Sequence, residues 1–212
     1  MFKWSLWGGD SVATNGPITI SITAIGETKK ASHLTRTGAK VGDGIYVSGT
    51  LGDAAAAIKI IENDLDVAGS DFILNRFYKP FPRLKLGKAL VNIASSALDI
   101  SDGLIGDLSH ICKNSGVGAH INQPKIPISA AFGNLLETKP EYNHLSWTGG
   151  DDYELLFTVP PENEKSLLNI PNCQSHGITK IGEIIAEQRI VLLDERQAEI
   201  RIDNKGYRHF EN

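Results

Sequence analysis

The residues best suited to chemistry in this sequence are Asp99, Ser101 and Asp102, set in Ala97-Leu98-Asp99-Ile100-Ser101-Asp102-Gly103-Leu104. There an apolar, strand-like run meets a helical pattern. A second acidic knot follows in Thr148-Gly149-Gly150-Asp151-Asp152-Tyr153-Glu154-Leu155-Leu156-Phe157, and Gly8-Gly9-Asp10 lies near the start. Three glycine-flanked groups of hard oxygen donors suit a divalent cation that holds phosphates, because Mg²⁺ prefers a few carboxylates plus phosphate oxygens to an all-protein cage. Phosphoryl transfer from a nucleotide is the leading chemical reading.

The same residues have a structural use. Ser101 or Asp102 can cap the helix that starts near Gly103 by accepting from the free N–H groups of its first turn, and Asp, Ser and Gly all favour turns. In an extended segment Asp99 and Ser101 project to one side, with Asp102 following at the turn. The carboxylates therefore come near a helix N-terminus, which itself attracts phosphate. Capping and ligation are compatible here. No Ser-His-Asp or Cys-His arrangement competes for the chemistry, and no residue is assigned as a general base.

Several elements must position these groups. Ile18, Ile20 and Ile22 alternate with Thr19, Ser21 and Thr23, which predicts a half-buried strand. The polar run 26–40, carrying Arg36, reads as a connector and domain boundary. Gly44–Ser48 predicts a strand, Gly49-Thr50-Leu51-Gly52-Asp53 a turn, and Ala54–Glu62 a helix by propensity. Lacking a complete phosphate-loop pattern, that turn reads as structural, although a helix N-terminus there could bind an anion. Helices are expected at Asp71–Tyr78, ended by Pro80-Phe81-Pro82, and at Arg83–Ala94. A strand at Ala97–Ile100 enters the acidic turn.

In the following helix Leu104, Leu108, Ile111 and Cys112 form one apolar face, with Asp107 off it, and Asn114-Ser115-Gly116 ends it. His110 reads as a partly exposed helix residue. Further on, a helix is expected around Ala130–Leu136, a buried strand at Tyr153–Val159 and a short helix at Glu162–Leu168. Strands close the pattern at Ile178–Ile185, Arg189–Leu193 and Ala198–Ile202. The pattern predicts an α+β layer fold with a mixed or mostly antiparallel sheet.

Composition narrows the partners. With 212 residues, 41% of them hydrophobic and 22% charged, the chain can bury a substantial core. A formal net charge of −4 gives no basic footprint for nucleic acid. No run approaches the roughly 20 apolar residues that span a bilayer, and Met1–Trp7 lacks a secretory pattern. Cys112 and Cys173 have no metal-type spacing, and Cys112 reads as core packing. A cytoplasmic setting is expected.

The ordered segments GGD…GPITISITAIGE, LTRTGAKVGDGIYVSGTLGDAAAAI, ALDISDGLIGDLSHI, TGGDDYELLFTVP and DNKGYRHF resemble the thiamine-monophosphate kinase family along essentially the whole chain. That family lies in the superfamily of aminoimidazole ribonucleotide synthetase and selenophosphate synthetase. The resemblance implies ATP-dependent conversion of thiamine monophosphate to thiamine diphosphate, with Mg²⁺ as the metal. It implies a C-terminal α/β sandwich domain with a mixed sheet over residues 38–212. Residues 1–37 would then be a remnant of a β-rich N-terminal ATP- and Mg²⁺-binding domain plus connector. A homodimer is implied for the full-length protein.

Carried over residue by residue, the resemblance makes Gly9, Asp10, Arg36 and Ser101 ATP contacts. It makes Asp10, Asp99 and Asp102 metal ligands, and Asp151 and Tyr207 substrate contacts. Arginine supplies permanent charge in a fork that suits phosphate, and a tyrosine face suits a cationic ring. Asp152 and Glu154 read as structural. Family members carry a further stretch ahead of GGD, including a Gly-Asp-Asp segment that supplies much of the metal site, so this chain by itself is expected to be incomplete and weakly active. Ser11, where Thr is common, and a longer Ser11–Asn15 turn are smaller departures. The alternatives are another ATP-binding synthetase of the superfamily, and a non-catalytic ligand-binding fragment that associates through Phe2, Trp4, Leu6 and Trp7.

Overall fold

The structure, a computed structural model, describes residues 5–28, 33–170 and 177–202. Phe2, Trp4, Cys173 and Tyr207 lie outside the described residues. The elements run in chain order β1 (Gly44–Val47), α1 (Asp53–Asn63), α2 (Ser70–Tyr78), α3 (Leu84–Leu90), β2 (Ser96–Asp99), α4 (Leu104–Ser115) and β3 (Gly118–Asn122). Then come α5 (Ala130–Thr138), α6 (Leu145–Thr148), β4 (Leu155–Val159), α7 (Glu164–Leu168), β5 (Thr179–Ile185), β6 (Ile190–Leu193) and β7 (Glu199–Ile200).

The seven strands form one sheet in the order β2-β4-β1-β5-β3-β6-β7. Only β3–β6 is parallel, so the sheet is mixed, as the α+β reading expects. Both faces of its centre are buried. Alternation sends Ile45, Val47, Leu98 and Leu156 to one face, where they pack with Leu104, Leu108 and Ile111 of α4. Tyr46, Ala97, Phe157 and Val159 face the other way, onto Leu86 and Leu90 of α3 and Leu167 of α7. A third cluster joins α1, α2 and α5 through Ala56, Ile60, Ile73, Phe132 and Leu135. Cys112 is buried in the first cluster, and burial pushes its thiol up to about 11, so it stays a protonated core residue.

The expected strand at Ile18–Thr23 does not form. Ile18, Ile20 and Ile22 are 92%, 80% and 87% exposed, and no described strand lies beside them. Period-2 alternation gives a strand its faces, but its backbone polar groups still need a neighbouring strand. Strand β3 is a second difference: the sequence pattern leaves it out, and it forms because β5 and β6 flank it on both sides. Helix α3 is also shorter than expected, ending at Leu90 in a turn through Val91 and Asn92 in which the Ile93 N–H donates to the Leu90 carbonyl.

Candidate functional site

Asp99 ends edge strand β2, opposite Leu155 of β4. The chain then turns through Ser101 and Asp102 into Gly103, which precedes α4 with φ 104°. A Cβ on Gly103 would meet the Thr148 carbonyl oxygen at 2.7 Å, so the turn needs glycine for conformation and for space. Neither Ser101 nor Asp102 caps α4 through its side chain. Instead Asp107, buried in the first turn, reaches back and accepts from the backbone N–H of Ser101 at 2.9 Å and of Asp102 at 3.0 Å. The two side chains singled out by the sequence are thereby left available. Burial, reinforced by the charges of Asp102 and Asp99, holds the Asp107 carboxyl up at about 6 despite those two hydrogen bonds.

The second acidic knot lies alongside the first. The N–H of Asp151 donates to the Ser101 carbonyl, the N–H of Tyr153 to the Ile100 carbonyl, and the N–H of Ile100 to the Glu154 carbonyl, at 2.8–2.9 Å. This zipper brings Asp151 and Tyr153 beside Asp99, Ser101 and Asp102. The Tyr153 hydroxyl donates to Asp151 Oδ1 at 3.0 Å, and that bond, with the nearby charges of Asp99 and Asp102, raises its ionisation above the ordinary tyrosine value. Asp151 and Tyr153 both have positive φ, 64° and 50°. Non-glycine residues in this region cost energy and persist where the surroundings over-determine them, which occurs disproportionately at functional sites.

Asp99 and Tyr153 also line a groove of about 610 Å³ whose walls are mostly apolar, with Leu34, Pro80, Pro82 and Leu155 among them, and to which Arg83 and Lys88 add positive charge. Ser101 and Asp102 are not among its lining residues. Arg36 is exposed on the connector that runs beside β2, where the Ala97 N–H donates to the Thr35 carbonyl. Gly9 and Asp10 lie in the exposed stretch 5–28, outside any strand or helix, and Asp10 Oδ1 accepts from the Ser11 N–H at 2.8 Å. The structure thus brings together Asp99, Ser101, Asp102 and Asp151. It does not bring Gly9 or Asp10 to them.

Among the described residues, no group of three or more His, Cys, Asp or Glu is placed to hold a metal by itself. Asp99 and Asp102 have no Lys or Arg partner there. Such a donor set suits a hard cation that takes one or two carboxylates and completes its shell with substrate oxygens and water.

Glu154 holds this site, as its structural reading expects, but its partners Arg76, Arg83 and Ser48 were not foreseen from the sequence. Glu154 is fully buried, and Arg83 forks it with Nε to Oε2 and Nη2 to Oε1, both at 2.6 Å. Arg76 Nη2 lies 3.0 Å from Oε1, and the Ser48 hydroxyl donates to Oε2 at 2.5 Å. Asp53 accepts from Thr50 and Ser129, with Arg76 Nε 3.8 Å away. A signal was present: carboxylates directly ahead of an apolar strand must find cations if they are buried, and Arg76 and Arg83 bracket Pro80–Pro82.

Asp152, which read as structural, is fully enclosed. It accepts from the N–H groups of Gly52 at 2.7 Å and Ala54 at 3.3 Å, capping α1 from a distant part of the chain. The anion at that helix N-terminus is the protein's own. Burial pushes the Asp152 carboxyl up to about 7 against the opposing effect of those N–H groups. With the folded value raised above the unfolded 3.8, the folded chain binds this proton more tightly. The corresponding stability is fully present below pH 3.8 and is lost as pH rises through about 7. Asp152→Asn should therefore gain on the wild type between pH 5 and pH 8, by at most about 1.4 kcal/mol per pH unit. Urea denaturation at both pH values checks this, and a pH-independent difference would rule it out.

Fold and site together define a mixed-sheet α+β domain that presents acidic side chains at a strand-to-helix turn. The chain belongs to the family described as AIR synthase related protein, C-terminal domain, whose pattern matches residues 40–195. It is 40% identical over 220 residues to thiamine-monophosphate kinase of Escherichia coli K12, covering 99% of this chain and 64% of that protein. It is 30% identical to the Bacillus subtilis protein of the same name, covering 99% of this chain and 66% of that one. The chain thus spans about two thirds, or slightly less, of these relatives' length. The crystal structure of thiamine-monophosphate kinase from Stenotrophomonas maltophilia superposes with a TM-score of 0.73 at 35% identity, covering 78% of this chain and 54% of that one. A structure described as AaThiL complexed with AMPPCP and TMP superposes with a TM-score of 0.70 at 29% identity, covering 84% of this chain and 54% of that one. No helix among the described residues is long and apolar enough to cross a membrane.

Proposed function

We propose that this chain carries the acidic half of a kinase site that transfers the γ-phosphoryl group of ATP to thiamine monophosphate, giving thiamine diphosphate and ADP. The observation that carries the reading is the zipper joining Asp99–Asp102 to Asp151–Glu154, which sets unpaired carboxylates beside a free hydroxyl at a helix entry. The similarity to thiamine-monophosphate kinases supports the choice of substrate.

In this reading a phosphate oxygen of thiamine monophosphate attacks Pγ of ATP, a new P–O bond forms, and the bond from Pγ to the β,γ-bridging oxygen breaks as ADP leaves. The attacking oxygen is already anionic, so neutralising charge and aligning the two phosphates matter more than removing a proton. Asp99 and Asp102 would hold Mg²⁺, which supplies that neutralisation when bound. Ser101 contacts ATP, and Asp151 contacts the acceptor. Arg36, and Gly9 and Asp10 once the exposed stretch 5–28 is brought to the turn, would complete the nucleotide side, Asp10 as a further metal ligand, and Tyr207 the acceptor side. In this reading the complete kinase site works in a cytoplasmic homodimer.

The test measures ATP-dependent formation of thiamine diphosphate by the 212-residue chain and by the same chain joined to the N-terminal region of a relative, together with solution mass. The joined protein should turn over thiamine monophosphate as a dimer, and the chain alone far more slowly. Comparable turnover by the chain as a monomer would relocate the site. No turnover by a folded joined protein would refute the substrate.

A further inference from the structure

We infer that Arg83 is a positioning residue: acting through Glu154, it holds Asp151 and Tyr153 in their left-handed backbone against Ser101 and Ile100, and so builds the acceptor side of the site. This rests on the reading of Asp151 as an acceptor contact.

The path is short and runs through hydrogen bonds of the structure. Arg83 lies immediately before α3, anchored there by Leu86 and Leu90 in the core. Its fork on Glu154 fixes both carboxylate oxygens in a plane, which a lysine cannot reproduce. Glu154 is the next residue after Tyr153, and its carbonyl accepts from the Ile100 N–H. A rigid Glu154 therefore pins one end of the two-residue zipper whose other contacts are Asp151 N–H to Ser101 and Tyr153 N–H to Ile100. Positive φ at Asp151 and Tyr153 would relax toward ordinary backbone without such a hold.

Gly49 supplies independent support. Its φ is 62°, and a Cβ there would run into the Glu154 carboxylate and come within 2.8 Å of Arg83 Nη2. The β1–α1 turn is shaped around the fork. Arg76 and Ser48 also bind Glu154, so removing Arg83 leaves the buried carboxylate partnered and lets the chain fold.

The experiment compares wild type, Arg83→Ala, Arg83→Lys, Gly49→Ala and the remote core variant Leu192→Ala by amide hydrogen exchange and by calorimetric titration with thiamine monophosphate. In Arg83→Ala the amides of Asp151 and Tyr153 should exchange about tenfold faster or more. The Kd for thiamine monophosphate should rise on the order of tenfold, the scale of a misplaced contact. Gly49→Ala should do the same from the opposite side, Arg83→Lys should fall between, and Leu192→Ala should lower the Tm while moving neither readout. Unchanged exchange in Arg83→Ala would reduce Arg83 to a stabilising ion pair. Faster exchange with unchanged Kd would overturn the link to the acceptor. The titrations use the chain joined to the N-terminal region of a relative; if that wild-type protein binds no thiamine monophosphate, the acceptor reading itself fails, and exchange alone decides whether Arg83 holds the loop.

Discussion

If Asp99 holds the metal as proposed, replacing it by asparagine should lower the turnover of thiamine monophosphate by about a hundredfold or more, the scale of losing an important electrostatic contact at a reacting phosphate. The substitution keeps size and shape and removes one charge. Asp99 is exposed at the end of β2 and fills no core position, so its loss costs little folding energy. The loss should appear chiefly in kcat at saturating ATP, and raising the Mg²⁺ concentration should recover part of it. Steady-state kinetics with a Mg²⁺ titration, in a preparation that turns over the wild-type sequence, measures both. An unchanged rate with normal metal dependence would remove Asp99 from the mechanism.

Glu154→Ala acts through folding instead. It leaves Arg83 and Arg76, with side chains 16% and 13% exposed, facing a space that held their shared carboxylate. Stranding a buried charge typically costs about 3–5 kcal/mol, a large part of the roughly 5–15 kcal/mol that holds a domain together. The variant should unfold at much lower urea concentration, or fail to accumulate folded at all. Glu154→Gln, which keeps hydrogen-bonding capacity, should lose less. Equal stability of the alanine variant and the wild type would show that the two guanidiniums find water or other partners.

What could be read from the sequence follows the range of the interactions involved. Leu104, Leu108, Ile111 and Cys112 announce α4, and Gly116 ends it in a left-handed conformation, because those signals repeat within a few residues. Asp99, Ser101 and Asp102 were legible as a group for the same reason. Asp107 was not: helical spacing places it off the apolar stripe, yet it turns inward to serve the N–H groups of Ser101 and Asp102. The Arg83–Glu154 pair spans 71 residues, and nothing local to either residue names the other. At Ile18–Thr23 alternation was present and the neighbouring strand was not, so periodicity alone overstated the case. The roles of Arg36 and Tyr207 rest on resemblance, and local chemistry singles out Asp10 only as a glycine-flanked oxygen donor.

The carboxylate that closes the front of α1 has a consequence for traffic in small anions. Asp152 is tethered to the helix it serves, so its local concentration there is in the millimolar range or above, and a free phosphate must evict it to dock. Eviction also exposes a carboxyl group to competition with water after the fold has already desolvated it. The front of α1 is therefore self-inhibited as a phosphate receptor.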